Sequence, residues 1–239
     1  MNLFHRLGTY LRHAATATNS KGHGIHSPFL YEFVTYVVME KLPYYCFRPI
    51  EEYRSTIQKE TGKARRLLPA SRAQLLFRIC SRYNFTAVTA IGTSLGLTSL
   101  YLSSASKKIK CCSIETDYQS AQLASKLLKK AGYAHLPVHA ISNELSLQQQ
   151  LHETGTSDLF FIDTNHPYST ITDYFNSCLN FIKPNSIIVV NDPYGSKGAT
   201  RAWKELQHNE KVTATFDLYQ LGIVFFNPEF APKNYKLRY

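Results

Sequence analysis

The residues in this chain best suited to chemistry sit in a short glycine turn, Gly92-Thr93-Ser94-Leu95-Gly96. The turn follows an apolar, β-branched run, Ala87-Val88-Thr89-Ala90-Ile91, and precedes Leu97, Leu100 and Tyr101 at helical spacing. This reads as buried strand, tight turn and helix. Such a turn presents free backbone N–H groups at a helix N-terminus, where an anionic or nucleotide-like ligand binds. Gly92 and Gly96 let the backbone turn sharply and approach that ligand closely. A second apolar run, Ile109 to Ile114, ends in Glu115. This is roughly twenty residues beyond the turn, where a nucleotide-binding α/β unit places an acid for ribose hydroxyls.

A second reading of the same turn stays open. Gly92-x-Ser94-x-Gly96 also spells a nucleophile elbow, with Ser94 attacking and Asp163 or Asp192 and then His208 completing the order. That elbow normally follows several strands, whereas the chain before Ala87 reads as helical. Asp163, Asn191 and Asp192 carry oxygen donors of the kind magnesium takes. The competing assignment gives Asp163 to substrate or a helix cap and Asp192 to the loop before Pro193, and no metal is expected. His23, His26 and His166 titrate nearest neutral pH and are candidate proton acceptors. His166 is the best placed, three residues after Asp163.

These residues need a frame that brings strand ends together. From Ala87 onward strands alternate with helices: Val88–Ile91, Ile109–Ile114, Pro137–Ile141, Leu159–Asp163 and Ile187–Asn191 against Leu95–Ser104, Asp117–Ala131, Ser146–His152, Thr170–Phe181 and Gly198–His208. Alternation implies parallel pairing with right-handed crossovers. The last two strands, Val212–Asp217 and Gln220–Phe226, are joined by a short turn and predict an antiparallel hairpin. The fold class is therefore α/β: a Rossmann-like, seven-stranded, mostly parallel sheet with helices on both faces. Residues 1–82 read as a helical N-terminal extension or cap and residues 83–239 as the Rossmann-like domain. In the extension, Leu3–Leu11, Phe29–Met39, Glu51–Lys59 and Ser71–Tyr83 predict helices. Ser27 serves as N-cap and Pro28 as first helical residue of the second.

Composition narrows the partners. The formal net charge is +10, which suits an anionic partner and leaves room for RNA. No aromatic-rich nucleic-acid motif accompanies the charge, and a solvated basic surface explains it as well. No run of eighteen apolar residues and no secretory h-region is present, so no membrane partner is expected. Five cysteines without regular spacing suit a reducing, cytoplasmic setting and buried core positions. Trp203 and Leu206 read as the packing face of an amphipathic helix. Oligomeric state is not legible.

Taken in order, AIGTSLGLTSLYLS, CSIETD, DLFFIDTNHPYSTITDYF, IIVVNDPYGSKGATRAWKEL and DLYQLGIVFF resemble class I S-adenosylmethionine-dependent methyltransferases, in particular small bacterial O-methyltransferase-like members. GHGIHSPF resembles an N-terminal element of the same subgroup. The resemblance implies S-adenosylmethionine as cofactor and methylation of an oxygen or nitrogen of a small molecule. It implies that Gly92, Thr93, Ser94 and Gly96 wrap the methionine part, that Glu115 holds the ribose, and that Ser142 with its neighbours Ile141 and Asn143 lies near the adenine. It places Asp163 beside the sulfonium and substrate, with Asp163 or His166 taking the proton. Three positions depart from the family. Ala90 stands where an acid is usual, Asp163-Thr164-Asn165-His166 replaces Asp-Gly-x-His, and Asn191-Asp192 replaces Asp-Asp. These departures leave a catalytically degenerate adenosyl-ligand binder or scaffold as the alternative.

Overall fold

Among the described residues the α-helices α1 (Leu3–Thr16), α2 (Pro28–Phe33), α3 (Phe47–Thr61) and α4 (Ala70–Arg82) precede the first strand. The Ser27 hydroxyl accepts the Leu30 amide at 3.4 Å, and Pro28 opens α2, as their types predict. α2 continues as a π turn over Val34–Val38. β-branched Val34, Thr35, Val37 and Val38 crowd an ordinary α-helical turn there. The computed structural model describes residues 3–62, 67–163 and 168–239.

Strands and helices then alternate: β1 (Ala87–Ile91), α5 (Leu97–Ser104), β2 (Lys110–Glu115), α6 (Tyr118–Lys130), β3 (Val138–Ala140), α7 (Glu144–Thr154), β4 (Ser157–Asp163), α8 (Tyr168–Cys178), β5 (Ile182–Asn191) and α9 (Lys197–Leu206). β6 (Ala214–Asp217), β7 (Leu221–Phe225) and β8 (Lys233–Lys236) close the order. The sheet runs β3-β2-β1-β4-β5-β7-β6-β8. β1 pairs with β2 and β2 with β3 in parallel, while β7 is antiparallel to both β5 and β6. The seven expected strands are joined by an eighth, because β8 pairs in parallel with β6. Its sequence, Lys-Asn-Tyr-Lys, hides a strand behind charge, as edge strands commonly do.

The residues cluster into two compact units, 41–159 and 1–40 with 160–239. The segment 1–82 thus contributes to both. Residues 41–159 hold β1, whose Val88, Thr89, Ala90 and Ile91 have no exposed surface, the continuous burial of an inner parallel strand. Tyr44, Phe47, Phe77 and Tyr101 pack edge-on or tilted against one another in the same unit. Buried hydroxyl pairs cross-link this unit: Ser99 on α5 meets Ser113 on β2 at 2.6 Å, and Thr89 on β1 meets Ser157 on β4 at 2.8 Å.

The other unit is built on the β6–β7 hairpin. Phe216 and Phe225 pack against Phe33 of α2, and Phe216 also packs against Tyr235 of β8. Trp203 lies on Gly222, where any Cβ would stand 2.5 Å from its ring, so the tryptophan is core as its helical spacing predicts. Asp217 is the polar centre of this unit. His13 of α1 reaches its Oδ1 at 3.1 Å, the Tyr219 amide donates to the same oxygen at 2.9 Å, and Tyr194 and Trp203 donate to Oδ2. All five cysteines are buried free thiols, and burial pushes the Cys111 thiol up to about 12.

Burial alone would raise the Asp217 carboxyl, but the bonds from His13 and Tyr194, the His13 charge and the Tyr219 amide together hold it below its ordinary value. A carboxyl depressed on folding stabilises the fold above its unfolded pKa of about 3.9 and loses that contribution as pH falls through the lower folded value. The melting temperature should therefore drop as pH falls below about 4. Asp217→Asn should cost roughly 3–5 kcal/mol at neutral pH, the scale for removing one partner of a buried pair, and should flatten that acid limb. Thermal melts of both proteins across the acid range check this; parallel acid limbs contradict it.

Candidate functional site

The turn after β1 is left-handed over most of its length: φ is 86° at Gly92, 51° at Ser94, 59° at Leu95 and 85° at Gly96. Left-handed backbone at non-glycine residues costs roughly 1–2 kcal/mol apiece. The surroundings compensate for it. The Leu68 amide donates to Ser94 Oγ at 3.2 Å, and the Tyr53 hydroxyl donates to the Leu95 carbonyl at 3.0 Å. Backbone held this way against its preference is found where a ligand is bound. The Gly92, Thr93 and Gly96 amides already donate within the protein, to Ile114, Glu115 and Thr93, so among the described residues the donors the turn offers a ligand are the Ser94 and Leu95 amides, ahead of the N-terminus of α5. Thr98 Oγ1, in the first turn of α5, is buried with no hydrogen-bond partner among the described residues.

Glu115 closes the turn from the end of β2. Its Oε1 accepts the Thr93 amide at 2.8 Å and the Thr93 hydroxyl at 2.6 Å. Thr93 itself has no exposed surface. The sequence marks both residues but not this contact; the register Ile91 opposite Ile114 creates it by bringing the two strand ends level. The Glu115 carbonyl accepts the Ile141 amide at 2.9 Å, which carries the site to the end of β3. Ser142 follows and is exposed. Its amide and that of Asn143 both donate to Ser146 Oγ, and Asn143 caps α7. Ala90 is fully buried in β1, so no carboxylate stands two residues before Gly92.

In the other unit, Asn191 Nδ2 at the end of β5 donates to Asp163 Oδ1 at the end of β4, at 3.2 Å. The next residue, Asp192, is left-handed with φ 49°, and Arg6 of α1 pairs with its carboxylate at 3.2 Å. This pair was not legible in the sequence, since 186 residues separate its members. An amide turned toward Asp163 and a guanidinium on Asp192 make a poor set of bare oxygen ligands for magnesium. Among the described residues no group of three or more His, Cys, Asp and Glu is arranged to hold a metal ion. His166 lies outside the described residues, and His23 and His26 are exposed in their loop. His208 donates its Nδ1–H to the Lys204 carbonyl of its own helix. With Asp192 on Arg6 and His208 so engaged, these partners do not form a relay for a serine nucleophile.

Comparison with known proteins shows what this chain is similar to. Residues 90–193 match a family model described as a methyltransferase domain. An O-methyltransferase of Aspergillus flavus, imqG, is 32% identical over 108 residues, 43% of this chain and 43% of that protein. The chain thus matches less than half the length of this curated relative. Solved structures agree in fold across more of the chain. A putative caffeoyl-CoA O-methyltransferase from Staphylococcus aureus superposes with a TM-score of 0.63 at 17% identity, covering 74% of this chain and 91% of that one. The O-methyltransferase TomG from Streptomyces achromogenes, solved with S-adenosylmethionine, gives 0.59 at 19% identity, covering 81% and 94%. An O-methyltransferase from Bacillus cereus, solved with S-adenosylhomocysteine, gives 0.60 at 15%, covering 82% and 97%. Residues 90–193 are thus similar to a methyltransferase domain, and the fold is that of the O-methyltransferase structures. Gly92, Gly96, Glu115, Asp163 and Asn191 all fall inside the matched segment.

The turn makes its own prediction. A Cβ on Gly96 would stand 2.8 Å from the Leu128 side chain on a left-handed residue. Gly96→Ala should therefore cost roughly 1–3 kcal/mol, read from denaturant unfolding. A loss below about 0.5 kcal/mol, the range of ordinary surface substitutions, would contradict this account of the turn.

Proposed function

We propose that the protein is an S-adenosylmethionine-dependent methyltransferase acting on an oxygen or nitrogen of a small molecule. The observation that carries this reading is the strained turn from Gly92 to Gly96 held by Glu115 through both polar groups of Thr93. Its Ser94 and Leu95 amides suit the charged methionine end of the cofactor, and Glu115 at the end of β2 suits the ribose hydroxyls. Ser142 lies on the adenine side. When bound, the cofactor would supply an electrophilic methyl group, open to a single displacement by the acceptor.

The chain's own contribution is to hold the acceptor in line and to accept its proton. Asp163 is assigned that role with His166, and the Asn191 amide on its Oδ1 orients the carboxylate. Residues 83–239 carry the methyltransferase domain, and the helical residues 1–82 act as the extension that shapes the acceptor side. The pairing of Arg6 with Asp192 at the end of β5 supports that role for α1. Five buried free thiols support a reducing, cytoplasmic setting.

Calorimetric titration with S-adenosylmethionine tests the assignment. The wild-type protein should bind, and Glu115→Ala should weaken binding roughly ten- to hundredfold, the worth of hydrogen bonds to a charged group. A folded Glu115→Ala protein with unchanged affinity would remove the ribose role.

A further inference from the structure

Helix α1 is turned the unusual way round. Four of its polar side chains face the protein: His5 meets Thr200 at 3.1 Å, Arg6 pairs with Asp192, Thr9 meets the Tyr219 hydroxyl at 3.3 Å, and His13 binds Asp217. Three of its apolar side chains face away, while the Tyr10 ring packs edge-on against Tyr219. Phe4 is 85% exposed, Leu7 54% and Leu11 59%, spaced three and four residues apart on one stripe, with Tyr10 at 53% along its edge. A surface helix normally buries its apolar stripe against the core. Here polar pairs anchor the helix and leave the stripe outward.

Cations border the stripe. Beside His5 opens a groove of about 410 Å³ lined by His5, Lys197, Thr200, Arg201 and Lys204, with no carboxylate in its lining. Lys197, Arg201 and Lys204 are exposed along one face of α9. At the other end of α1, Lys236 donates to Thr16 and Arg238 to the Ala14 carbonyl. The helix itself contains Arg12 and no acidic residue.

We propose that this face seats on an anionic lipid surface, with α1 lying in the interface plane. Phe4, Leu7 and Leu11 would enter the acyl boundary, Tyr10 would sit at headgroup level, and the α9 groove would take lipid phosphates. Two features of the face argue against a second copy of the chain as its occupant. A two-fold partner would bring the same cations without an acid on α1 to answer them. Four partly exposed side chains also offer a few hundred Å², short of the ~800 Å² per partner of a standard interface. A lipid surface supplies apolar depth and phosphate charge side by side. Among the described residues no helix is long and apolar enough to cross a membrane, so the helix lies on the bilayer. The sequence expectation of no membrane partner rested on the missing span; periodicity shows that a helix is amphipathic but not which face turns outward.

Sedimentation with vesicles tests this. The protein should bind phosphatidylcholine vesicles containing phosphatidylglycerol, bind phosphatidylcholine alone far more weakly, and be released by salt. Leu7→Ser with Leu11→Ser, and separately Lys197→Ala with Lys204→Ala, should each weaken binding about tenfold or more without lowering the melting temperature. All of these side chains are exposed, so folding should survive. The proposal is overturned if the wild type ignores the anionic vesicles or if either variant binds them as well as wild type does. It is equally overturned if the wild type is a dimer that the leucine pair dissociates, since a second copy then covers the stripe. S-adenosylmethionine binding, measured on the same samples, is independent of every one of these outcomes.

Discussion

One carboxylate oxygen holds the turn after β1 together. Glu115 Oε1 accepts two hydrogen bonds from Thr93, and these bonds fix the first step of a turn that would otherwise relax. Four residues of that turn are left-handed, two of them not glycine. Each non-glycine residue there needs a restraint, and each has one: the Leu68 amide on Ser94 and the Tyr53 hydroxyl on Leu95. A turn pre-formed in this way has its ordering cost met by folding, and its ligand binds a site already in shape. Under the proposed function Glu115 has a double task, since the residue proposed for the ribose also braces the loop proposed for the methionine end.

A second carboxylate plays the corresponding part in the other unit. Asp217 is buried and receives His13, Tyr194, Trp203 and the Tyr219 amide. Tyr219 stacks on Tyr194 with centroids 5.0 Å apart, and its hydroxyl donates to the Arg6 carbonyl. The hub therefore fixes both halves of α1. It aims Arg6 at Asp192, and it forces the apolar stripe of the helix outward. Lys197, Arg201 and Lys204 of α9 line the groove beside His5.

The sequence showed the alternating elements and the turn because their signals are local. Val88 to Ile91 read as strand, Gly92 and Gly96 as turn, and Ser27-Pro28 as a helix start, and each is found there. β8 escaped because its charged edge residues carry no apolar period. The π turn escaped because residues 34–38 keep an ordinary helical pattern of burial. The two polar contacts that matter most escaped for a different reason. Thr93 with Glu115 depends on the register of neighbouring strands, and Arg6 with Asp192 on the docking of a helix from the far end of the chain. Neither leaves a periodic trace. His166, chosen for its distance from Asp163, lies outside the described residues.

The most direct test of the account is an amide NMR titration of the whole chain with S-adenosylhomocysteine. The account predicts that the amides of Thr93, Ser94, Gly96 and Ser142 shift in saturable fashion, while those of β6, β7 and β8 stay in place. Saturable shifts confined to residues away from the β1 turn and the end of β2 would contradict it, as would no shift at all at millimolar ligand.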